Sequence, residues 1–348
     1  MVYWITFHIL VIVLLLAYSI GNKDIKRVIT MAICIVLIIF AGYRDGLGAD
    51  YMQYTVRLEN YSYGSLTPYL EPLFTAISIL IRNTNLSVVF FFVFCACITN
   101  LCIVKFCQSE KSFFPWMIAL YVFIPTMYGQ TFNLVRQYFG IGLFYYSLRF
   151  IGNSFVKYAI CVLVAATMHF SAIFLLPLYF FLGRRFKLVI YLGIFVAFLA
   201  FISSLNIIAG NSLEKYEIYS TSTNTMYMSG FLIIYNLLCV AVLLNKRMMK
   251  MTNPIYSNLL FLLAVFVDMS YVNYFYYRFA IYFLPIVVYV IPYLVYNSKY
   301  IKGGLRPFTM TLIVAFLIVI MYNNLLSNVM DIIIVPRGIL PLSSIFDR

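Results

Sequence analysis

Charge is what this sequence has least of. Lysine, arginine, aspartate and glutamate together make up 10% of its 348 residues, against about 25% in an ordinary soluble domain. With 64% of residues hydrophobic, there is more apolar surface than one water-soluble core can hide, which excludes that class of fold. Histidine occurs only twice, as His8 and His169. No D-x-D, H-x-x-E or cysteine–histidine grouping is present, so no metal site is expected. Seven cysteines (Cys34, Cys95, Cys97, Cys102, Cys107, Cys161 and Cys239) form no C-x-x-C pair and lie in apolar runs. They read as small buried hydrophobes, neither a disulfide framework nor ligands. Walker and GxGxxG loops are missing too, which disfavours nucleotide-driven chemistry and leaves no cofactor to expect. No repeat, low-complexity tract or linker interrupts the chain, so residues 1–348 read as a single integral membrane domain.

Long apolar runs fill the space that charge leaves. They cover 2–20, 26–42, 86–104, 113–128, 131–150, 187–205, 230–245, 255–275, 279–297 and 307–325. A bilayer core needs about 20 such residues per helix. Shorter stretches lie at 68–82 and 158–182. The runs are continuously apolar and do not alternate, so the expected fold is all-α: a polytopic transmembrane bundle of about ten to twelve helices, not a barrel.

The first run has its basic residues (Lys23, Lys26, Arg27) behind it. It therefore reads as a retained helix with an outside N-terminus. The short basic loops "LGRRFK" (182–187), "NKRMMK" (245–250) and "NSKYIKGGLR" (297–306) are expected to be cytoplasmic. The net charge of +13 is then positive-inside patterning, and no nucleic-acid partner is expected. Two topologies fit the first half. In one, 68–82 and 158–182 are full spans. In the other, 68–82 is an outer or re-entrant helix and 156–187 is a hairpin of two short arms turning near His169. The second places more lysine and arginine inside and is preferred. It also puts Arg44, Asp50, Arg136, His169 and Arg278 on one face. The outer loops are then 43–67 and 206–229, the latter rich in hydroxyls, amides and tyrosines suited to sugar.

An ionisable group in or beside a membrane helix is costly and so a functional candidate by default. "GYRDGLGADYMQY" (42–54) carries Arg44, Asp50, Tyr51 and Tyr54, with Gly46 and Gly48 free to turn tightly. An interfacial anchoring loop accounts for all of these except Asp50. In "TFNLVRQYFGIGLFYY", Asn133, Arg136 and Gln137 stand at i, i+3 and i+4, predicting one polar helix face continued by Gly140. That face suits either a helix–helix clamp or bidentate grip on a phosphate oxygen. His169 is either a satisfied buried imidazole or a proton acceptor. Arg278 and Tyr274 accompany Asp268 one turn deeper. Glu71 heads an apolar helix, where the helix dipole alone would justify a carboxylate.

Taken in order, "YRDGLGADYMQY", "EPLF", "NLVRQYFGIGLFYYSLRF", "ATMHFSAIFLLPL" and "YYRFAIYFLP" resemble the EpsG-like family of Wzy-type bacterial polysaccharide polymerases, over about residues 40–290. The resemblance implies a metal-independent, GT-C-like membrane glycosyltransferase of the bacterial cytoplasmic membrane with its site facing outside. It implies as substrates an undecaprenyl-pyrophosphate-linked oligosaccharide and the growing polymer. A flippase and a chain-length regulator of the same pathway are possible partners. On this reading His169, Asp50, Arg136 and Arg278 are catalytic. Arg44, Tyr51, Tyr54, Glu71, Asn133, Gln137, Asp268 and Tyr274 bind substrate. The rival readings are a lipid-linked oligosaccharide flippase and a membrane O-acyltransferase. The first should show two pseudo-repeated halves, and no such symmetry is visible. The second should show an asparagine or aspartate beside His169, where Thr167 and Ser171 stand instead.

Overall fold

A computed structural model describes residues 2–44, 46–48, 50–59, 71–84, 86–124, 126–208, 225–245, 249, 253–272 and 276–327. Among these residues all regular structure is helical, with no strand. The expected all-α fold is what forms. Among the described residues four helices are long and apolar enough to cross a membrane: Lys23–Gly42, Val89–Cys107, Tyr277–Asn297 and Leu305–Tyr322. Seven further apolar helices are shorter. The chain divides into two compact units, Met1–Tyr179 with Lys302–Arg348, and Phe180–Ile301.

In the first unit, helix α1 (Val2–Ile20) leads to α2 (Lys23–Gly42). Asn22 starts α2 by accepting from the Asp24 and Ile25 N–H groups at 3.1 and 2.9 Å, which satisfies two of the donors that a helix start leaves orphaned. After the loop come α3 (Tyr51–Glu59), α4 (Pro72–Thr84), α5 (Val89–Cys107) and α6 (Phe114–Phe123). A 3₁₀ turn at Tyr128–Phe132 then feeds α7 (Val135–Ser147). Helix α4 has 13 residues. At 1.5 Å per residue it is about 20 Å long, too short to cross a ~30 Å hydrocarbon core.

The stretch around His169 is a broken hairpin. Helix α8 (Phe155–Met168) ends at His169, whose backbone is extended (φ −148°, ψ 105°), and a 3₁₀ segment follows at Phe170–Leu175. The Tyr158 hydroxyl donates to the Leu175 carbonyl at 2.6 Å. Phe155 and Tyr158 both meet the ring of Tyr179, at 5.2 and 5.4 Å. These cross-links require the chain to double back at His169, the geometry of the preferred reading.

Helices approach closely where glycine permits it. A Cβ on Gly42 would stand 2.9 Å from the Val93 Cα, and one on Gly142 2.9 Å from the Thr99 Cα. Both contacts seat α5 against its neighbours α2 and α7 through small-residue packing, as membrane bundles do. At Gly142 the backbone of α7 meets that of α5. Gly142→Val should force α5 and α7 apart and cost about 1–3 kcal/mol, read as a lowered unfolding midpoint in detergent. Polar ties reinforce the packing. Tyr128 donates to the Leu37 carbonyl at 2.7 Å, Tyr121 to Asn100 Oδ1 at 3.3 Å, and Tyr138 to the Thr126 carbonyl at 3.0 Å. His8 is a core residue, its Nδ1 3.0 Å from the Tyr322 hydroxyl.

The second unit contains helices α9 to α13: Leu188–Ile208, Thr225–Leu243, Pro254–Val272, Tyr277–Phe283 and Val287–Asn297. Asn258, fully buried, donates to the carbonyls of Leu182 and Arg184 at 2.8 Å each. It accepts from the Tyr191 hydroxyl at 2.6 Å. This one amide thereby pins the basic 182–187 turn. Of the expected outer loop 206–229, helix takes the two ends; 209–224 lie outside the described residues, as do 60–70 and Tyr274.

Candidate active site

Glu71, Arg136 and His169, far apart in sequence, converge on one carboxylate. Pro72 occupies the first position of α4, where its fixed φ suits a helix start and its missing N–H costs nothing. Glu71 therefore sits just outside the helix, its carbonyl accepting from the Thr75 N–H at 3.0 Å, with its side chain free to reach across. One oxygen, Oε2, pairs with Arg136 Nη1. The other, Oε1, lies 3.3 Å from His169 Nδ1 and accepts the Phe170 N–H at 3.2 Å. The hairpin break is what allows this. Extended backbone at His169 presents the imidazole and the next N–H to the same oxygen.

The Arg136 guanidinium is held as well as paired. Its carbon lies 4.5 Å from the centre of the Phe74 ring and 5.9 Å from that of Tyr54, both favourable cation–π positions. Exposure of the three side chains is 15% for Arg136, 17% for Glu71 and 22% for His169. The cluster is thus mostly desolvated yet reachable. Burial works against the Glu71 charge, but His169, Arg136 and the Phe170 N–H outweigh it and hold the carboxyl below its usual range. With an ionised Glu71, the tautomer that fits carries its proton on Nδ1. That leaves Nε2 as the basic nitrogen, an orientation fixed by a neighbouring carboxylate as in other carboxylate–histidine pairs.

The 42–54 segment lies beside this cluster and braces it. Gly46 and Gly48 have positive φ, 65° and 112°. A Cβ on Gly48 would meet the Phe132 carbonyl oxygen at 2.4 Å and Asn133 Oδ1 at 3.2 Å. The loop therefore rests on the turn that leads into α7. Gly48→Ala combines strain at positive φ with a backbone clash, and should cost about 2–4 kcal/mol, seen as a lowered melting midpoint. Tyr51 stacks on Phe92 at 5.2 Å and Tyr54 meets Phe91 at 5.5 Å. Arg44 is buried, donating to the Thr131 carbonyl at 3.4 Å and stacked over Phe92 at 4.2 Å. Asp50 begins α3, its carbonyl accepting the Tyr54 N–H at 2.9 Å.

One expectation about α7 needs correcting. Asn133 does not share a helix face with Arg136 and Gln137. Leu134 breaks the helix with ψ 49°, so Asn133 belongs to the preceding turn while Arg136 and Gln137 occupy the first turn of α7. Asn133 and Gln137 are both buried. In the second unit, Asp268 accepts a 2.6 Å hydrogen bond from Asn236, a residue the sequence reading did not single out. Arg278 opens α12 in that same unit. Among the described residues, no three histidine, cysteine, aspartate or glutamate side chains gather as a metal-ligand set.

A family model now decides the class, matching residues 27–336, nearly the whole chain. The chain belongs to the EpsG family. EpsG proteins are Wzy-like polysaccharide polymerases and membrane proteins, and the apolar helices described above are those of a multi-pass membrane protein. Comparison with curated proteins and with solved structures finds no match. The Glu71–Arg136–His169 cluster falls within the matched span.

Proposed function

We propose that this EpsG-family protein joins lipid-pyrophosphate-linked oligosaccharide repeat units at the outer face of the bacterial cytoplasmic membrane, with the Glu71–His169 pair as its proton acceptor. The observation that carries this is the shared Glu71 carboxylate, which orients an imidazole and a guanidinium at one partly exposed point. The undecaprenyl pyrophosphate of the growing polymer enters from the bilayer. A hydroxyl of the incoming repeat unit attacks C1 of the polymer's terminal sugar, and His169 Nε2 takes its proton. The C1–O bond breaks with its electron pair leaving on the lipid pyrophosphate. Arg136, 15% exposed, neutralises that charge. Asp50, Tyr51, Tyr54, Asn133 and Gln137 orient sugars. Arg44 supports the loop behind them. A single displacement inverts the anomeric centre, and the donor linkage itself supplies the energy.

The test separates polymerisation from transport. Purified protein given a synthetic lipid-pyrophosphate repeat unit should release one lipid pyrophosphate for each glycosidic bond formed. Protein-dependent movement of the intact lipid between leaflets, with no release, would replace this reading by the flippase one.

A further inference from the structure

Arg44 is an unusual place to put a cation. Its side chain is 2% exposed, yet its hydrogen bonding is mostly unspent. Nη1 reaches the Thr131 carbonyl at a long 3.4 Å, while Nε and Nη2 are buried with no hydrogen-bond partner among the described residues. Rings of Phe92 and Phe132 lie 4.2 and 5.2 Å from its carbon. They offer a quadrupole but no acceptor. The C-terminal end of α2 nearby favours a cation through its dipole, but none of its carbonyls accepts from the two orphaned groups. Burial lowers the guanidinium pKa to about 10, so the group is still charged at neutral pH. A buried charge with unspent donors costs several kcal/mol unless something compensates it.

The space beside it is the right size for one small occupant. Arg44, Phe92, Cys95, Thr99, Thr131 and Val135 surround a cavity of about 10 Å³, roughly what a single water-sized sphere requires. A phosphate group, with five heavy atoms, does not fit. Val135 is also the first residue of α7, a 13-residue helix whose start has no side-chain cap. Its positive dipole end therefore adds to the field of the guanidinium. Two independent features thus converge on this cavity, an orphaned buried cation and an uncapped helix start, and both favour an anion over neutral water. The lining includes none of Glu71, Arg136 or His169.

We infer that the Arg44 pocket is an internal site for one monatomic anion of the chloride class, which ties the 43–50 loop to the start of α7. Bound there, the anion would accept from Nε and Nη2 and neutralise the cation. It would hold the loop, the 3₁₀ turn and α5 together as a single brace. Substrate phosphate would be excluded by size.

The test uses the full-length protein in detergent, exchanged into sodium chloride, bromide, gluconate or sulfate at matched ionic strength. Wild type should show an unfolding midpoint that rises saturably, by several degrees, with chloride and bromide relative to gluconate, and sulfate should not reproduce the rise. Arg44→Met should lose the halide-specific part of the response. If that variant does not fold, Thr99→Ile, which fills the pocket while leaving the arginine in place, should show the same loss. Crystals grown in bromide should give an anomalous peak beside the Arg44 side chain. Equal wild-type midpoints in chloride and gluconate, or a pocket that holds only water in bromide crystals, would overturn the assignment.

Discussion

Replacing His169 by alanine is expected to abolish polymer formation while leaving the protein folded. If Nε2 accepts the nucleophile's proton, its loss should lower turnover by about 10²–10⁴-fold, the usual contribution of a positioned general base. The side chain is 22% exposed and its Nδ1 makes one contact, to Glu71, so the melting midpoint should move little. His169→Gln gives a sharper reading. The amide can still donate to Glu71, which keeps the cluster assembled, but it cannot accept a proton at neutral pH. Turnover should fall as far as in the alanine variant while substrate KM stays near wild type. A purely structural histidine would be rescued by glutamine.

Glu71→Gln should act on stability and catalysis together. The carboxylate pairs with Arg136 Nη1 and is the shared acceptor for His169 and the Phe170 N–H. Neutralising it leaves a mostly buried guanidinium uncompensated. Breaking a fully buried pair costs about 3–5 kcal/mol. With side chains here about one-sixth exposed, about 2–4 kcal/mol is the expected loss after screening is allowed for. Turnover should drop by at least the factor seen for His169→Gln, because the imidazole loses its orienting partner as well. The acid limb of stability gives a second readout. Glu71 has a folded pKa below its ordinary value, with its contacts to His169 and Arg136 prevailing over burial. Its contribution is therefore complete above the unfolded carboxylate range, near 4.3, and fades as pH falls through the lower folded value. Wild type should lose this increment below about pH 4, and Glu71→Gln should lack it at every pH. An unchanged acid limb in the variant would show that the contact carries no stability.

The apolar runs were legible in the sequence because a bilayer demands them. The run at 2–20 became α1, and that at 26–42 became α2 with its start moved back to Lys23 by the Asn22 cap. The turn at His169 was legible for a different reason: one topology distributed the basic residues better than the other. Local breaks were harder to see. Leu134 carries no sequence signal that it will end one turn before the next helix begins, so Asn133 was assigned to the wrong element. Glu71 was named as a substrate-binding candidate, but its grouping with Arg136 and His169 was not legible. Its position before proline at a helix start gave a sufficient local explanation, and its two partners lie 65 and 98 residues away. Nothing local connects them. Arg44 shows the same limit. Composition marks it as a cation in an aromatic setting, and only the packed structure reveals that it lines a small cavity.

The most direct test of the central claim is polymerisation by purified protein with a synthetic lipid-pyrophosphate repeat unit, without added metal or nucleotide. Wild type, His169→Gln and Glu71→Gln would be compared at matched folded fractions. The account predicts a ladder of products from wild type and none from the two cluster variants. Ladders of equal yield from His169→Gln and wild type would contradict it.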